Sequence, residues 1–234
     1  MPYGDRDDDD LARLLAHDVA YLEDAGAEAV VMGCNTSCAV AARRGWPSAR
    51  IPIFDLIAAA ATTVASSGAQ SVGVIATAAT ARSGAYGNAL RALNPALSVQ
   101  EVAAPKLVPL VESGLLTGPI ARAAVAEALA AFALPIETLV LACTHYPLLD
   151  AEFVAVLDAG VTLVDPALAQ ADAAVRFVRE RGTKGGTGRT HFATTGATDA
   201  YRSAIEAILG GLGAGDSVGS ATIAQDERKR VRSI

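Results

Sequence analysis

Short apolar runs alternate along the chain with longer stretches in which apolar positions recur every three or four residues. The runs at 29–32, 71–75 and 139–142 are typical of strands buried on both faces, because almost no polar side chain interrupts them. The stretch 11–25 keeps its apolar positions on one side and predicts a helix. Strands and helices that alternate at this spacing predict an α/β fold with mostly parallel sheets in layers.

The same periodicities predict the remaining elements. Further strands are expected at 51–54, 98–102, 161–164 and 191–194, and further helices at 36–44, 56–66, 83–93, 119–133, 167–181 and 199–209. The glycine-rich segments at 183–189 and 211–234 are predicted as a flexible turn and as a loosely held tail.

Two of the apolar runs end in a cysteine that polar residues follow. The segment 29–36 reads AVVMGCNT and the segment 139–145 reads LVLACTH, so Cys34 and Cys143 occupy matching places. Ligands of parallel α/β sheets bind at the carboxyl ends of the strands, so thiols placed there are candidates for chemistry. The repetition predicts two similar lobes that each give one thiol to a shared cleft.

The third cysteine, Cys38, lies one turn inside the predicted helix 36–44, where a cysteine usually packs as a small apolar side chain. Three cysteines without a CxxC pair argue against a disulfide framework and against a structural zinc site. The thiols are therefore expected to be reduced and available for catalysis.

Charge and composition restrict the partners. The 19 basic and 25 acidic residues give a net charge of −6 and form no broad basic stripe, so nucleic acid is not expected as a partner. No apolar run reaches the roughly 18 residues of a membrane span, and acidic residues rather than a signal-peptide pattern follow Met1. We expect a cytoplasmic protein. No GxGxxG pattern follows a strand, so no dinucleotide cofactor is expected.

Three chemistries fit two cysteines and a histidine at strand ends. A hydrolase would use Cys143 as nucleophile with His145 as base, but it would leave Cys34 idle. A zinc site usually has pairs of ligands more closely spaced in the sequence than Cys34 is from Cys143 and His145. Two-base proton transfer uses both thiols, one as thiolate and one as thiol, on opposite faces of a carbon centre. This third chemistry explains the duplicated motif best, and the residues alone leave the other two open.

The motifs GCNTSCAV at 33–40 and LACTHYPLL at 141–149 carry both of these cysteines. They resemble the two cysteine motifs of the glutamate racemase family, in the aspartate/glutamate racemase superfamily, and CTHYPLL is specific to the glutamate branch. Supporting matches are PYG at 2–4, SGAY at 83–86, PKLVPLVESG at 105–114 and TTG at 194–196. The resemblance implies a cofactor-independent isomerase that interconverts L- and D-glutamate and supplies D-glutamate for peptidoglycan.

The resemblance also implies roles for individual residues. Cys34 and Cys143 would be the two catalytic acid/bases, with His145 assisting Cys143 and Glu112 placed near that side. Glutamate would be the small-molecule partner, and no metal site is implied. The matching substrate-binding residues are Tyr3, Gly4, Asn35, Thr36, Thr144 and His145.

The family fold implied by this resemblance has two α/β lobes with the substrate between them, often in dimers. The second lobe is expected at 57–165, and the first is expected from 1–56 together with 166–210. Residues 211–234 would follow as the tail, and a homodimer is the expected assembly.

The sequence departs from the family pattern in two places. Family members carry an apolar strand ending in Asp-Ser-Gly before the PYG loop, whereas this chain starts at PYG, so the Asp that would assist Cys34 is expected to be missing. The run ATAAT at 76–80 stands where the family usually has glycines. Two alternatives therefore stay open: a catalytically weak or inactive paralogue that binds an acidic amino acid, and another racemase of the superfamily, such as an aspartate racemase.

Overall fold

The computed structural model describes residues 7–182 and 188–221. Tyr3 and Gly4 of the predicted site, and most of the predicted turn at 183–189, lie outside these ranges. Contacts between residues divide the chain into two units, Met1–Phe177 and Val178–Ile234. Both cysteine motifs belong to the first unit.

The first unit alternates helices and strands from one end to the other, as predicted. Its strands are β1 (Val30–Val31), β2 (Ile53–Phe54), β3 (Ser71–Ala76), β4 (Ser98–Ala103), β5 (Thr138–Ala142) and β6 (Thr162–Val164). A 3₁₀ turn, Tyr146–Leu149, follows β5. The helices are α1 (Asp8–Asp24), α2 (Asn35–Arg44), α3 (Leu56–Ser67), α4 (Ala78–Ser83), α5 (Ala85–Leu93), α6 (Leu107–Glu112), α7 (Pro119–Leu129), α8 (Asp150–Val156) and α9 (Pro166–Glu180), and α9 continues past the end of this unit at Phe177.

The main sheet of this unit has four parallel strands in the order β4-β3-β5-β6. From β3 the chain crosses to one side for β4 and then returns to the other side for β5, so the direction of winding reverses between β3 and β5. Such a reversal opens a crevice at the carboxyl ends of the two strands. Ala76 and Ala142, the last residues of these strands, pair with each other, so the segments that follow them leave the sheet side by side.

Alternate residues of the central strands pack on opposite faces of the main sheet. Val74 and Val140 pack with apolar residues of α2, α3 and α5 on one face. Ile75 and Leu141 pack with apolar residues of α6, α7 and α8 on the other face. Both strands are therefore buried on both sides, as their uninterrupted apolar runs predict.

The parallel pair β1 and β2 forms a separate short sheet. Its strands are two residues long, shorter than predicted, and a buried side chain of α9 continues their pairing. Gln170 donates from Nε2 to the carbonyl oxygens of Met32, at 2.9 Å, and Phe54, at 2.8 Å. Because these bonds satisfy carbonyls at the ends of both strands, they fix the segment that leads into Cys34.

The predicted helix at 83–93 begins later than expected, because the chain turns at Gly84. This residue has a φ of 64°, a left-handed conformation that glycine adopts without a steric cost, and it separates α4 from α5. No helix was predicted where α4 lies. Thr77 starts that helix by accepting a hydrogen bond from the backbone N–H of Thr80 at 3.3 Å.

The second unit contains β7 (His191–Thr194), α10 (Thr198–Leu209) and β8 (Ser217–Ser220), and β7 and β8 pair in parallel. The first two elements match the predicted strand and helix, whereas β8 lies within the predicted tail at 211–234. The lobe boundaries at 57 and 165 stay a prediction. Across residues 7–182 and 188–221, no helix combines the length and the apolar character needed to cross a membrane.

Candidate active site

Cys34 lies where β1 passes into α2. Its backbone is extended, with φ −145° and ψ 113°, and the helix begins at the next residue. The thiol is half-buried and makes no capping hydrogen bond, so it leaves the N–H groups in the first turn of α2 unused. The dipole at this end of a helix favours negative charge, which suits a thiolate or a bound carboxylate.

Cys143 directly follows β5, and only 6% of the residue is exposed. The pKa of its thiol is about 11, raised mainly by burial and also by negative charge on Cys34, and lowered in part by a hydrogen bond from the backbone N–H of His145. The structure thus brings the two cysteines within electrostatic range of each other. They are separated in the sequence by most of the first unit.

His145 lies between Cys143 and an acidic residue. Its Nδ1 is 3.8 Å from Sγ of Cys143, a distance at which a hydrogen bond to sulfur is still made. On the far side of the ring, Nε2 is 3.6 Å from Oε1 of Glu112, the last residue of α6. The three side chains therefore form a row that ends at the sulfur.

Asn35 and Thr36, the first two residues of α2, are buried. Thr36 belongs to a cluster of three hydroxyls, in which its Oγ1 lies 3.4 Å from that of Thr77 and 3.3 Å from that of Thr80. The Oγ1 atoms of Thr77 and Thr80 are 3.0 Å apart. Neither Thr77 nor Thr80 is among the predicted site residues. Their position after β3, at the carboxyl end of a central strand, was the signal that could have identified them.

Tyr86 reaches Asn35 from the second residue of α5. Its hydroxyl donates a hydrogen bond to Oδ1 of Asn35, and the tyrosine is fully buried. Tyr86 is also absent from the predicted site residues. No local pattern in the sequence marks a contact between a helix start at 35 and a buried ring at 86.

Two further residues of the cysteine motifs, Thr144 and Cys38, differ in their exposure to solvent. Thr144 is exposed beside Cys143. Cys38 is fully buried, and burial together with the charge of Asp55 raises its pKa far above the ordinary value, which confirms it as a packing residue. In the part of the chain that the structure describes, no three His, Cys, Asp or Glu side chains are grouped as metal ligands.

The high pKa of Cys143 has a measurable consequence for its reactivity. At pH 8 only about 0.1% of a thiol with a pKa of about 11 is thiolate, so iodoacetamide should alkylate Cys143 slowly, and about tenfold faster for each further pH unit up to pH 10. Since negative charge on Cys34 contributes to the raised pKa of Cys143, Cys34→Ser should speed the alkylation of Cys143. Peptide mass spectrometry measures both rates. A half-maximal rate below pH 9 in the unmodified sequence would contradict this expectation.

Comparison with known proteins defines the class. The family model of Asp/Glu/Hydantoin racemases matches residues 2–174, which is most of the chain. The chain therefore belongs to the Asp/Glu/Hydantoin racemase family.

Within that family, the relatives include glutamate racemases. The glutamate racemase of Desulforudis audaxviator (strain MP104C) is 38% identical over 221 residues, which cover 90% of this chain and 81% of the relative. The crystal structure of a glutamate racemase isoform from Bacillus anthracis matches with a TM-score of 0.85 at 28% identity, over 96% of this chain and 85% of that one. Glutamate racemase from Francisella tularensis subsp. tularensis SCHU S4, crystallised in complex with D-glutamate, matches with a TM-score of 0.84 at 27% identity, over 96% and 84%. These likenesses confirm the resemblance to glutamate racemases and the α/β fold class.

Proposed function

We propose that this chain interconverts L- and D-glutamate by two-base proton transfer, with Cys34 and Cys143 as the two acid/bases. The observation that supports this most directly is that the two thiols, which follow strands of different sheets, lie close enough for negative charge on Cys34 to raise the pKa of Cys143. A hydrolase or a single-nucleophile enzyme has no use for the second sulfur. We infer the class of reaction, racemisation, from the similarity of the chain to racemases.

The reaction needs one sulfur on each face of the α-carbon. The thiolate of one cysteine removes the α-proton and becomes a thiol, while the electron pair of the broken C–H bond stays on the α-carbon and delocalises into the adjacent carboxylate. The thiol of the other cysteine then protonates the opposite face and becomes the thiolate. The carbon is inverted, and the two sulfurs together hold the same number of protons as before.

Cys143 needs a proton acceptor when it serves as the base. With a pKa of about 11 it is a thiol in the free protein, which suits the role of acid. For the reverse reaction its proton has to leave, and Nδ1 of His145 at 3.8 Å is placed to accept it. Glu112, 3.6 Å from Nε2, then offsets the positive charge of the imidazolium.

The substrate has polar partners around both thiols. A carboxylate of glutamate would meet the free N–H groups at the start of α2, and the side chains of Asn35 and Thr36 lie at that start. Thr144 is exposed beside the second thiol. Tyr3 and Gly4 join this set on the family resemblance alone. Since the relative from Francisella tularensis was crystallised with D-glutamate, we infer glutamate as the substrate.

The finer predictions rest on the same resemblance. They are a reaction without cofactor or metal, a cytoplasmic location, the supply of D-glutamate for peptidoglycan, and association into a homodimer.

Circular dichroism of L-glutamate incubated with the chain tests the proposal. We expect the signal to decay to zero, because an equal mixture of enantiomers has no net dichroism. L-aspartate, run in parallel, should decay much more slowly. Faster decay of L-aspartate would favour the aspartate racemase alternative. A folded chain that binds glutamate while the signal stays constant would contradict racemisation and favour the non-catalytic paralogue.

A further inference from the structure

Tyr86 is a buried tyrosine whose hydroxyl is bound to a residue of the proposed site. The residue is 0% exposed, and its hydroxyl donates to Oδ1 of Asn35, which is 4% exposed. The Tyr86 hydroxyl is fully shielded from water, so the orientation that its bond imposes on the Asn35 amide persists.

The other end of the Asn35 amide is free to meet a ligand. Asn35 makes no second side-chain hydrogen bond among the described residues. In the same ranges, the one fully buried side-chain nitrogen or oxygen without a partner is Oε2 of Glu101. Nδ2 of Asn35 therefore keeps contact with solvent. Because Oδ1 is engaged by Tyr86, a bound molecule meets the two N–H donors of Nδ2.

The surroundings of Tyr86 keep its hydroxyl a donor. Burial raises the pKa of the phenol well above its ordinary value, and the carboxylates of Asp55 and Asp165 act in the same direction. A phenol that does not ionise always has a proton to give. The proton that Tyr86 donates to Oδ1 of Asn35 is therefore present across the pH range in which the proposed reaction runs.

The start of α5, which carries Tyr86, is fixed from β4. Gly84 provides no side-chain cap for this helix. Instead, Oε1 of Glu101 accepts the backbone N–H of Gly87 at 2.8 Å, and a Cβ at Gly87 would lie 2.6 Å from the same oxygen. This close approach holds the first turn of α5, and with it the ring of Tyr86, against the sheet.

We propose that Tyr86 is a positioning residue that holds the Asn35 amide with its N–H groups towards the substrate, so that this point of the site accepts a carboxylate. The inference rests on the proposed function and names how one of its binding residues is oriented. Without the hydroxyl, Oδ1 and Nδ2 can exchange places by a 180° rotation, since the two ends have the same shape. An amide that presents Oδ1 repels a carboxylate.

Steady-state kinetics of Tyr86→Phe test this role. We expect KM for both enantiomers of glutamate to rise about 3- to 10-fold, the range that one neutral hydrogen bond accounts for, while kcat changes less than about twofold. The pH profile should keep its shape, because no group that transfers a proton is altered. An unchanged KM would overturn the proposal.

Tyr146→Phe provides the matched control. Tyr146 is also 0% exposed, and its hydroxyl donates to the carbonyl oxygen of Ala104 at 3.0 Å, away from Asn35. This variant loses a buried hydroxyl in the same way, so it should lose comparable stability and keep the KM of the unmodified chain. An equal rise in KM in both variants would mean general loosening and would overturn the positioning role.

A double-mutant cycle identifies the residue through which Tyr86 acts. Asn35→Ala should raise KM by itself, and adding Tyr86→Phe to it should raise KM no further, because the amide to be oriented is gone. Independent, multiplying effects of the two changes on KM would overturn the proposal.

NMR of protein labelled with ¹⁵N-asparagine gives a readout that does not depend on turnover. The chain has three asparagines, Asn35, Asn88 and Asn94, so the side-chain N–H₂ signals are few. Adding D-glutamate should shift the Asn35 pair and leave the other two in place, and Tyr86→Phe should move the Asn35 pair in the free protein. Asn35 side-chain signals that do not shift when D-glutamate is added would overturn the inference. If the Asn35 signals shift on addition of D-glutamate but the chain does not racemise glutamate, the positioning role of Tyr86 is supported and only the proposed reaction is contradicted.

Discussion

Cys34→Ser and Cys143→Ser should each lower kcat/KM for glutamate racemisation by about 10³-fold or more. A serine hydroxyl is a far weaker acid than a thiol, and proton transfer by a positioned side chain contributes roughly 10²- to 10⁴-fold. Both sulfurs are needed in every turnover, since one takes the proton that leaves and the other gives the proton that arrives. The two losses should therefore be of similar size. The rate of decay of the circular dichroism signal measures both.

Cys38→Ala is the matched control for these substitutions. Cys38 lies one turn further along α2 than Cys34 and is fully buried, so its replacement removes a thiol without touching the proposed reaction. We expect kcat/KM within about twofold of the unmodified chain. If either serine variant kept a tenth of the activity, or if the alanine variant lost as much as they do, a two-thiol mechanism would be wrong.

His145→Asn should lower kcat/KM by about 10²-fold. The asparagine amide can still place a nitrogen near Sγ of Cys143, where Nδ1 lies now at 3.8 Å, but it cannot take up a proton. A thiol with a pKa of about 11 then has no partner to which it can pass its proton at neutral pH. The activity lost at pH 8 should be partly recovered at pH 10, where hydroxide itself deprotonates the thiol.

The loss in His145→Asn should be the same in both directions of the reaction. The two enantiomers have equal free energy, so kcat/KM for L- and D-glutamate must fall by one common factor even though His145 assists only one sulfur. Glu112→Gln is the graded comparison. Because Glu112 is exposed and 3.6 Å from Nε2, its replacement should cost about tenfold or less. A His145→Asn variant with full activity at pH 8 would contradict the role given to this histidine.

The placement of the two thiols could be predicted from the sequence for a local reason. Each cysteine follows a short, uninterrupted apolar run, and ligands of parallel α/β folds bind at the carboxyl ends of such strands. The helix that starts after Cys34 and the packing role of Cys38 follow from the same local patterns. His145 and the binding residues were predicted from the family resemblance, because the motif CTHYPLL is distinctive enough to identify the family.

Other features of the site depend on packing between distant segments, and local patterns carry no signal for them. The bond between Tyr86 and Asn35 joins residues 51 positions apart, and the hydroxyl cluster joins Thr36 to Thr80 across 44 positions. The pKa of Cys143 is set mainly by burial, which is a property of the assembled sheet and its helices. The strand β8 was also missed, because SVGS at 217–220 is too short and too polar to stand out.

The two-base mechanism is tested most directly by racemisation of L-glutamate in D₂O, with the isotope at the α-carbon read by NMR and mass spectrometry at low conversion. If one sulfur removes the proton and the other delivers a solvent-derived deuteron, the D-glutamate formed carries deuterium, and the L-glutamate left behind keeps its hydrogen. The account predicts this asymmetry for the unmodified chain and its mirror image when D-glutamate is the starting material. D-glutamate that retains the original hydrogen, or deuterium that enters the remaining L-glutamate as fast as product forms, would show a single base working on both faces and would contradict the account.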